Sequence, residues 1–161
     1  MPNLRDALSY DPYTGILRWK ICSAYHVKVG DIAGHFDGRH RRLGFAGKFY
    51  YAHRVAWFLH YGKWPRRQID HINENKDDNR LSNLRLATNR QNARNRGKQK
   101  NNKSGFKGVC WMKQSKRWVA QICVDGTQTY LGLFDTPEEA HAVYCIAAEK
   151  HHGEFANTGV S

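Results

Sequence analysis

An acidic residue and a histidine stand side by side in the middle of the chain, and two asparagines follow at short intervals. Asp70 and His71 are adjacent, Asn83 comes twelve residues after His71, and Asn92 comes nine residues after Asn83. Carboxylate and amide oxygens are ligands that a hard divalent cation prefers, and a neutral imidazole beside them can take a proton from an attacking water molecule. The pattern predicts a small metal-dependent nuclease centre.

The residues around this set have the pattern of two short strands and a helix. Residues 67–72 are predicted to form a strand that runs into a polar loop at 73–79, and residues 81–86 a second extended stretch. Thr88 and Gln91 have the spacing of a capping box, which satisfies free backbone donors at the start of a helix. We expect Asn92 in the first full turn of that helix, so that two strands and a helix surround one ion.

The stretch from about residue 53 to residue 96 resembles the HNH nuclease family, in particular the variant of intron-encoded and free-standing phage homing endonucleases. By position, Asp70 resembles a metal ligand and His71 the general base. Asn83 resembles the central residue that braces the loop, and Asn92 a second metal ligand. Many relatives have His at this last position, and an amide there favours one Mg²⁺ or Mn²⁺ ion over softer cations. The resemblance implies hydrolysis of DNA to 5′-phosphate and 3′-hydroxyl ends.

A further histidine, His53, opens a predicted helix that ends at Gly62. Two roles are open for His53 and its neighbour Arg54: contacts to phosphate or to the catalytic residues, or packing and capping. Packing and capping is the favoured interpretation, because most such residues are structural.

Charge is distributed unevenly along the chain. The formal net charge is +12, with 21 basic and 8 acidic residues in 1–105 and 5 basic and 6 acidic residues in 106–161. Such a chain suits a polyanionic partner, and we expect salt-dependent binding to double-stranded DNA. Residues 85–103 contain no acid and are the predicted phosphate-contacting segment, with a solvated basic linker as the alternative. Their basic residues are Arg85, Arg90, Arg94, Arg96, Lys98, Lys100 and Lys103.

The charge boundary coincides with a change in composition. Residues 95–104 contain no apolar side chain and are predicted to be a basic linker. Fully extended, they reach about 33 Å, close to one turn of duplex DNA. The predicted organisation is a nuclease domain with a β-rich N-terminal extension at 1–94, the linker at 95–104, and a DNA-binding domain at 105–161. A chain of 161 residues with 40% apolar content can bury two modest cores.

The C-terminal region has the pattern of three strands followed by a helix. Strands are predicted at 108–113, 118–124 and 129–133, with turn signals at 114–116 and 125–126. The predicted helix has Thr136 as its cap, Pro137 at its first position and Gly153 at its end. The apolar residues that would face the sheet are Ala140, Val143, Tyr144 and Ala147.

Four segments of this region, S-G-F-K-G-V, R-W-V-A-Q-I, Y-L-G-L-F-D-T-P-E-E-A and H-G-E-F-A-N, resemble the Apetala-two or ethylene-response-factor DNA-binding domain, across residues 104 to about 158. That family lays a three-stranded sheet in the major groove. The residues that match its DNA contacts by position are Lys107, Cys110, Trp111, Lys113, Lys116, Arg117, Gln121, Cys123, Gln128 and Tyr130. Few of these are arginines, so the plant-type sequence preference is not carried over.

Strand alternation supports this face without the family. Trp118, Ala120 and Ile122 are expected to point towards the helix, which leaves Gln121 and Cys123 outward. Glutamine can read adenine edges, and lysine can contact guanine or phosphate. The alternative is a nearly neutral dimerisation or spacer module.

The N-terminal residues carry fewer signals. Residues 4–10 and the strand-like residues 16–21 flank a D-P-Y-T-G turn, and residues 34–47 are a predicted hairpin. The basic cluster of that hairpin fits phosphate binding and a solvated loop equally well. Its members are Arg39, His40, Arg41 and Arg42.

The cysteines and the absence of targeting signals bear on the compartment. Cys22, Cys110, Cys123 and Cys145 form no C-x-x-C pair, so neither a zinc ribbon nor a disulfide framework is indicated. No signal peptide or membrane span is recognised. We therefore expect a reducing cytoplasm, that of a bacterial host if the chain is phage-encoded, and no membrane partner.

Together these patterns predict an α+β protein, with a ββα-metal nuclease region followed by a small three-stranded antiparallel sheet and a helix. The predicted function is a site-selective, metal-dependent DNA endonuclease of homing type. We expect a monomer that nicks one strand, because the chain has one Asp-His-Asn-Asn set and no internal repeat. The competing interpretation is a non-catalytic DNA-binding regulator that keeps a decayed nuclease core.

Overall fold

Within residues 3–51, the chain forms one helical turn and five short strands. These elements are α1 (Leu4–Ala7), β1 (Leu8–Tyr10), β2 (Leu17–Trp19), β3 (His35–Phe36), β4 (Arg41–Phe45) and β5 (Lys48–Tyr51). β1 pairs antiparallel with β2, and β3, β4 and β5 form a second antiparallel sheet in that order. The hairpin predicted at 34–47 is confirmed, and β5 extends it by a third strand.

A longer helix and a two-stranded sheet follow: α2 (Ala52–Tyr61), β6 (Gln68–His71) and β7 (Leu84–Ala87). α2 ends at Gly62 as predicted, with a φ of 77° that favours glycine. β6 and β7 are antiparallel. The expectation of extended backbone throughout 81–86 is wrong at its start, because residues Leu81–Asn83 form a 3-10 turn closed by a hydrogen bond from the Leu84 N–H to the Leu81 carbonyl.

Apolar packing connects α2 to both of its flanks. The larger core cluster joins the N-terminal strands to α2, and its members include Leu17, Trp19, Leu43 and Val55. A smaller cluster packs Ala56 of α2 against Ile69 of β6 and Leu84 of β7. The helix therefore supports β6, which carries the Asp-His pair, and its partner strand β7.

The computed structural model describes residues 3–159, and these divide between Thr88 and Asn89 into two compact units. The elements of the second unit are α3 (Asn89–Arg94), β8 (Val109–Met112), β9 (Arg117–Val124), β10 (Thr127–Phe134), α4 (Pro137–His152) and a final 3-10 turn (Gly153–Phe155). Both α3 and the predicted linker at 95–104 belong to the residues of this unit. No helix within residues 3–159 is long and apolar enough to span a membrane.

The three strands and the helix predicted for the C-terminal region are confirmed. The antiparallel sheet has the order β10-β9-β8, and Thr136 caps α4 in a capping box with Glu139. Of the apolar residues predicted to face the sheet, Ala140, Tyr144 and Ala147 are buried, and Val143 is half-buried. The sheet supplies Val109, Ala120 and Ile122 to this core.

The loop that follows β6, residues 72–80, is called the nuclease loop below. Gly15 provides a test of how closely the N-terminal turn approaches this loop. Its φ is +74°, and a Cβ atom there would overlap the Arg80 backbone nitrogen and lie 2.5 Å from the Asn79 carbonyl carbon. Gly47 has a φ of +75° but no atom within 4 Å of such a Cβ. Gly47→Ala should cost about 1–2 kcal/mol of unfolding free energy, the price of a left-handed alanine. Gly15→Ala should cost about 1–3 kcal/mol more, from overpacking.

Urea denaturation of the two variants beside the wild type measures both losses. Equal destabilisation by Gly15→Ala and Gly47→Ala would show that the turn does not press on the loop.

Candidate active site

Asp70 lies on β6 and is 4% exposed. The strand register places it directly opposite Arg85 of β7, and the Nε and Nη2 atoms of Arg85 each lie 2.8 Å from its Oδ2 atom. A buried carboxylate is costly without such a partner. The Arg85 side chain is itself only 14% exposed, so its predicted contact with DNA stays a prediction, while its contact with Asp70 is a property of the structure.

His71 ends β6 and is buried. Its Nε2 atom lies 3.2 Å from the Oδ1 atom of Asn79. Burial lowers the pKa of His71, an effect opposed by the hydrogen bond to Asn79 and by the charges of Asp70 and Asp78. The imidazole is therefore neutral at neutral pH, which is the form that can accept a proton.

Asn83 closes the polar loop between β6 and β7. Its Oδ1 atom accepts a hydrogen bond from the Asn73 N–H at 3.0 Å, and its Nδ2 atom donates to the Asp78 carbonyl at 2.8 Å. Its own carbonyl accepts from the Ile72 N–H at 2.9 Å. These contacts give Asn83 the geometry of a loop brace, and its assignment to the catalytic set stays a prediction.

The charged side chains of the loop are fixed in the same way. The Asp78 carboxylate pairs with Arg80 at 2.6 Å and accepts from the Asn73 amide at 2.8 Å. The hydrogen bonds from Arg80 are the largest cause that lowers the pKa of Asp78 to about 2. The Asp78 carboxylate therefore stays ionised at neutral pH and keeps its contacts with Arg80 and Asn73.

Asn79 is a site residue that sequence reasoning missed. It is 2% exposed, its Oδ1 atom contacts His71, and its Nδ2 atom donates to the Asp77 carbonyl at 3.2 Å. The Tyr10 hydroxyl donates to the Asn79 carbonyl at 2.8 Å. In a loop rich in Asn and Asp, nothing in the sequence separates this inward side chain from its exposed neighbours.

A cluster of aromatic rings stands beside His71. The His53 ring, in the first turn of α2, meets the His71 ring edge-on with centroids 5.2 Å apart. Tyr51 stacks on His53 at 5.5 Å, and His40 lies 5.5 Å from His53. Burial is the main cause that lowers the pKa of His53 to about 3, so this ring is uncharged. The packing interpretation fits these ring contacts, although the ring that His53 packs against is the candidate base.

Two arginines of the first unit have structural roles. Arg54 donates to the Pro65 and Arg67 carbonyls at 3.0 and 3.3 Å. Arg41 forms a two-point ion pair with Asp77 of the nuclease loop, at 2.8 and 3.1 Å. The hairpin that carries Arg41 is thus tied directly to the loop that carries Asn79.

Asn92 lies on α3 in the second unit and is half-buried. Within residues 3–159, no three His, Cys, Asp or Glu side chains converge to hold a metal ion. The proposed donors are instead one carboxylate and one amide, both hard oxygen ligands that fit Mg²⁺ or Mn²⁺. The metal-binding roles of Asp70 and Asn92 stay predictions.

The outward face of the second sheet has the residues that alternation predicted. Gln121 pairs across the strands with Tyr130, and Cys123 pairs with Gln128. Cys123, Gln128 and Tyr130 are exposed and Gln121 is half-buried, whereas Ala120 and Ile122 are buried. Cys110 accepts a hydrogen bond from Gln121 at 3.7 Å. Trp111, although 47% exposed, pairs across the strands with Trp118 and so lies on the opposite side of the sheet from Cys110 and Gln121.

The predicted DNA-contacting cations of the second unit divide into two sets. Some bond within the unit: Arg94 to Asp125 at 2.8 Å, Lys98 to the Gly105 carbonyl at 3.1 Å, Lys107 to the Arg94 carbonyl at 2.9 Å, and Arg117 to Asp135 at 2.8 Å. The others have exposed side chains: Arg90, Arg96, Lys100, Lys103, Lys113 and Lys116. The exposed set offers the more accessible charge for phosphate.

Comparison with known proteins assigns families to both regions. Residues 50–94 match the model of the HNH endonuclease family, and residues 104–154 match that of the AP2 domain. Protein 3.8 of Escherichia phage T7 is 34% identical over 105 residues, which cover 65% of this chain and 86% of that protein. The chain belongs to the HNH endonuclease family. Both resemblances inferred from the sequence, and the predicted fold class, are confirmed.

A second relative carries the family description in its name. The uncharacterized HNH endonuclease L560 of Acanthamoeba polyphaga mimivirus is 38% identical over 88 residues, which cover 55% of this chain and 44% of that protein. No solved structure matches the chain significantly. The two family matches support a nuclease or DNA-binding role for this HNH endonuclease family member.

The brace formed by Asn83 can be tested against a neighbour in the same loop. Asn83→Ala removes two hydrogen bonds to backbone groups and should cost about 2–3 kcal/mol of unfolding free energy. Asn75 is exposed, and its side chain accepts one hydrogen bond, from the Asp77 N–H. Asn75→Ala should cost about 0.5 kcal/mol.

Chemical denaturation gives both values, and amide exchange at Asn73 should accelerate only in Asn83→Ala. Similar stability of the two variants would contradict the brace.

Proposed function

We propose that this HNH endonuclease family member hydrolyses phosphodiester bonds of double-stranded DNA, with His71 as general base and Asp70 and Asn92 as ligands of one Mg²⁺ or Mn²⁺ ion. The observation that carries the proposal is the pair at the end of β6, where a buried neutral imidazole follows a buried carboxylate. Burying ionisable groups is costly, and groups with perturbed protonation cluster at functional sites.

In the proposed reaction, His71 takes a proton from water while the water oxygen attacks phosphorus in line with the 3′ oxygen. The bond between phosphorus and the 3′ oxygen breaks, that oxygen takes a proton from solvent water, and the protonated His71 returns its proton to solvent. The products are a 5′-phosphate and a 3′-hydroxyl. A bound divalent cation would stabilise the charge that develops on the phosphate and on the leaving oxygen.

Arg85 determines how the Asp70 carboxylate is presented. Its Nε and Nη2 atoms both contact the Oδ2 atom, and this two-point contact fixes the orientation of the carboxylate. A carboxylate and an amide are both hard oxygen donors, so the proposed donor set fits a hard cation.

The AP2 domain is the proposed reader of DNA sequence. Its outward sheet face presents Gln121, Gln128 and Tyr130, and glutamine side chains can recognise adenine in the major groove. The exposed cations of residues 90–116 would contact phosphates without sequence preference. This division of labour makes the enzyme site-selective, in the manner of a homing endonuclease.

A second candidate function follows from the Asp70–Arg85 pair. A carboxylate already neutralised by a guanidinium has no electrostatic need of a cation, which favours a decayed nuclease core in a DNA-binding regulator. Plasmid cleavage separates the two functions: the enzyme converts supercoiled DNA with Mg²⁺ or Mn²⁺ and stops when a chelator is added. The regulator shifts the mobility of DNA and leaves it intact.

The proposed base gives a sharp prediction. His71→Ala should lower the cleavage rate by about 10²-fold or more, the usual contribution of a general base, and should leave DNA affinity unchanged. His60→Ala is the matched control, because His60 is exposed near the end of α2. This variant should cleave like the wild type. Gel-shift titration and a plasmid assay measure the two quantities. Parallel loss of binding and cleavage in His71→Ala would contradict the role of base.

The single active site predicts strand asymmetry. One Asp-His pair can engage one scissile phosphate at a time, and the chain has no internal repeat to supply two-fold symmetry. A monomer should therefore nick one strand of its site well before the other. Strand-labelled duplex on a denaturing gel, with light scattering for oligomeric state, measures this. Equal cleavage of both strands by a dimer would overturn the nickase while leaving the endonuclease intact.

A further inference from the structure

Asn79 has hydrogen-bonding partners on both sides of its buried side chain. Its Oδ1 atom lies 3.2 Å from His71 Nε2, and its Nδ2 atom donates to the Asp77 carbonyl at 3.2 Å. The whole residue is 2% exposed. A buried amide in this position has a single orientation in which both contacts are hydrogen bonds.

That orientation determines the tautomer of His71. The Asp77 carbonyl can only accept a hydrogen bond, so the amide N–H₂ group must face it and the amide oxygen must face His71. The amide oxygen can also only accept, so the Nε2 atom of His71 must carry the proton. The lone pair of the neutral ring then lies on Nδ1.

We propose that Asn79 is a positioning residue for DNA cleavage, which holds His71 in one ring orientation with its basic lone pair on Nδ1. This inference rests on the proposed function, in which His71 is the general base.

Contacts from distant parts of the first unit hold Asn79 itself in place. The Tyr10 hydroxyl donates to its carbonyl at 2.8 Å. Gly15 lies against its backbone, and the two-point Arg41–Asp77 pair fixes the residue whose carbonyl receives the amide. A side chain that orients a catalytic histidine needs this degree of support, since a small displacement would weaken its hydrogen bond to the ring.

The test compares two substitutions of Asn79 with a matched control. Asn79→Leu keeps the size of the side chain but removes the acceptor, and should lower kcat by about 10–100-fold with unchanged DNA affinity. Asn79→Asp keeps an acceptor towards His71 in either protonation state, and should restore most of the lost rate. Asn75→Leu makes the same change at an exposed position of the same loop and should cleave like the wild type.

Nitrogen-15 NMR of the histidine rings provides a readout that does not depend on cleavage. The neutral His71 ring should be protonated at Nε2 in the wild type and should lose that fixed tautomer in Asn79→Leu. A folded Asn79→Leu variant that cleaves within about threefold of the wild type would overturn the proposal, as would a wild-type ring protonated at Nδ1.

The same spectra separate this inference from the proposed function. If the wild type cleaves no DNA, the nuclease proposal fails, but a tautomer fixed at Nε2 in the wild type and released in Asn79→Leu still supports Asn79 as the residue that positions His71. If the wild type cleaves and Asn79→Leu matches it in both cleavage rate and His71 tautomer, the nuclease proposal stands and the positioning role alone is wrong.

Discussion

The structure of the first unit depends on burying a carboxylate and an imidazole as neighbours on one strand. Each would be costly away from water without a partner. The register of β6 and β7 places Arg85 opposite Asp70, and the loop between the strands returns Asn79 to His71. The strand pairing and the loop bring these two contacts about, and the packing of α2 on both strands supports them.

The composition of the loop follows from the same requirement. Short polar side chains such as Asn and Asp can hydrogen-bond nearby backbone groups and so replace the ladder of a strand. Residues 73–79 use this repeatedly: the Asn73 and Asn75 side chains accept from backbone N–H groups two residues further on. A loop built in this way pairs its backbone with its own short side chains and leaves the inward amide of Asn79 to contact His71, the proposed general base.

Local signals predicted most of the elements, and long-range contacts account for what they missed. The position of β6, the end of α2 at Gly62 and the three strands and helix of the AP2 domain all follow from periodicity, caps and turn residues. Asn79 and His53 could not be assigned in this way, because each has a partner on an element distant in sequence: Tyr10 for Asn79 and His71 for His53. The 3-10 turn after the loop likewise has a distant partner, because the Leu81 N–H donates to the Pro12 carbonyl at 3.0 Å.

The ion pair between Arg41 and Asp77 joins the N-terminal hairpin to the nuclease loop, with a consequence for local opening. Segments that are held together by direct contacts can open as one cooperative unit. The hairpin and the loop should therefore exchange their amide protons with a common opening free energy, although thirty-six residues separate the two partners in sequence. On this basis the N-terminal extension is a part of the nuclease fold and helps to order the loop that carries Asn79. A substitution in the hairpin should therefore change the stability of that loop first.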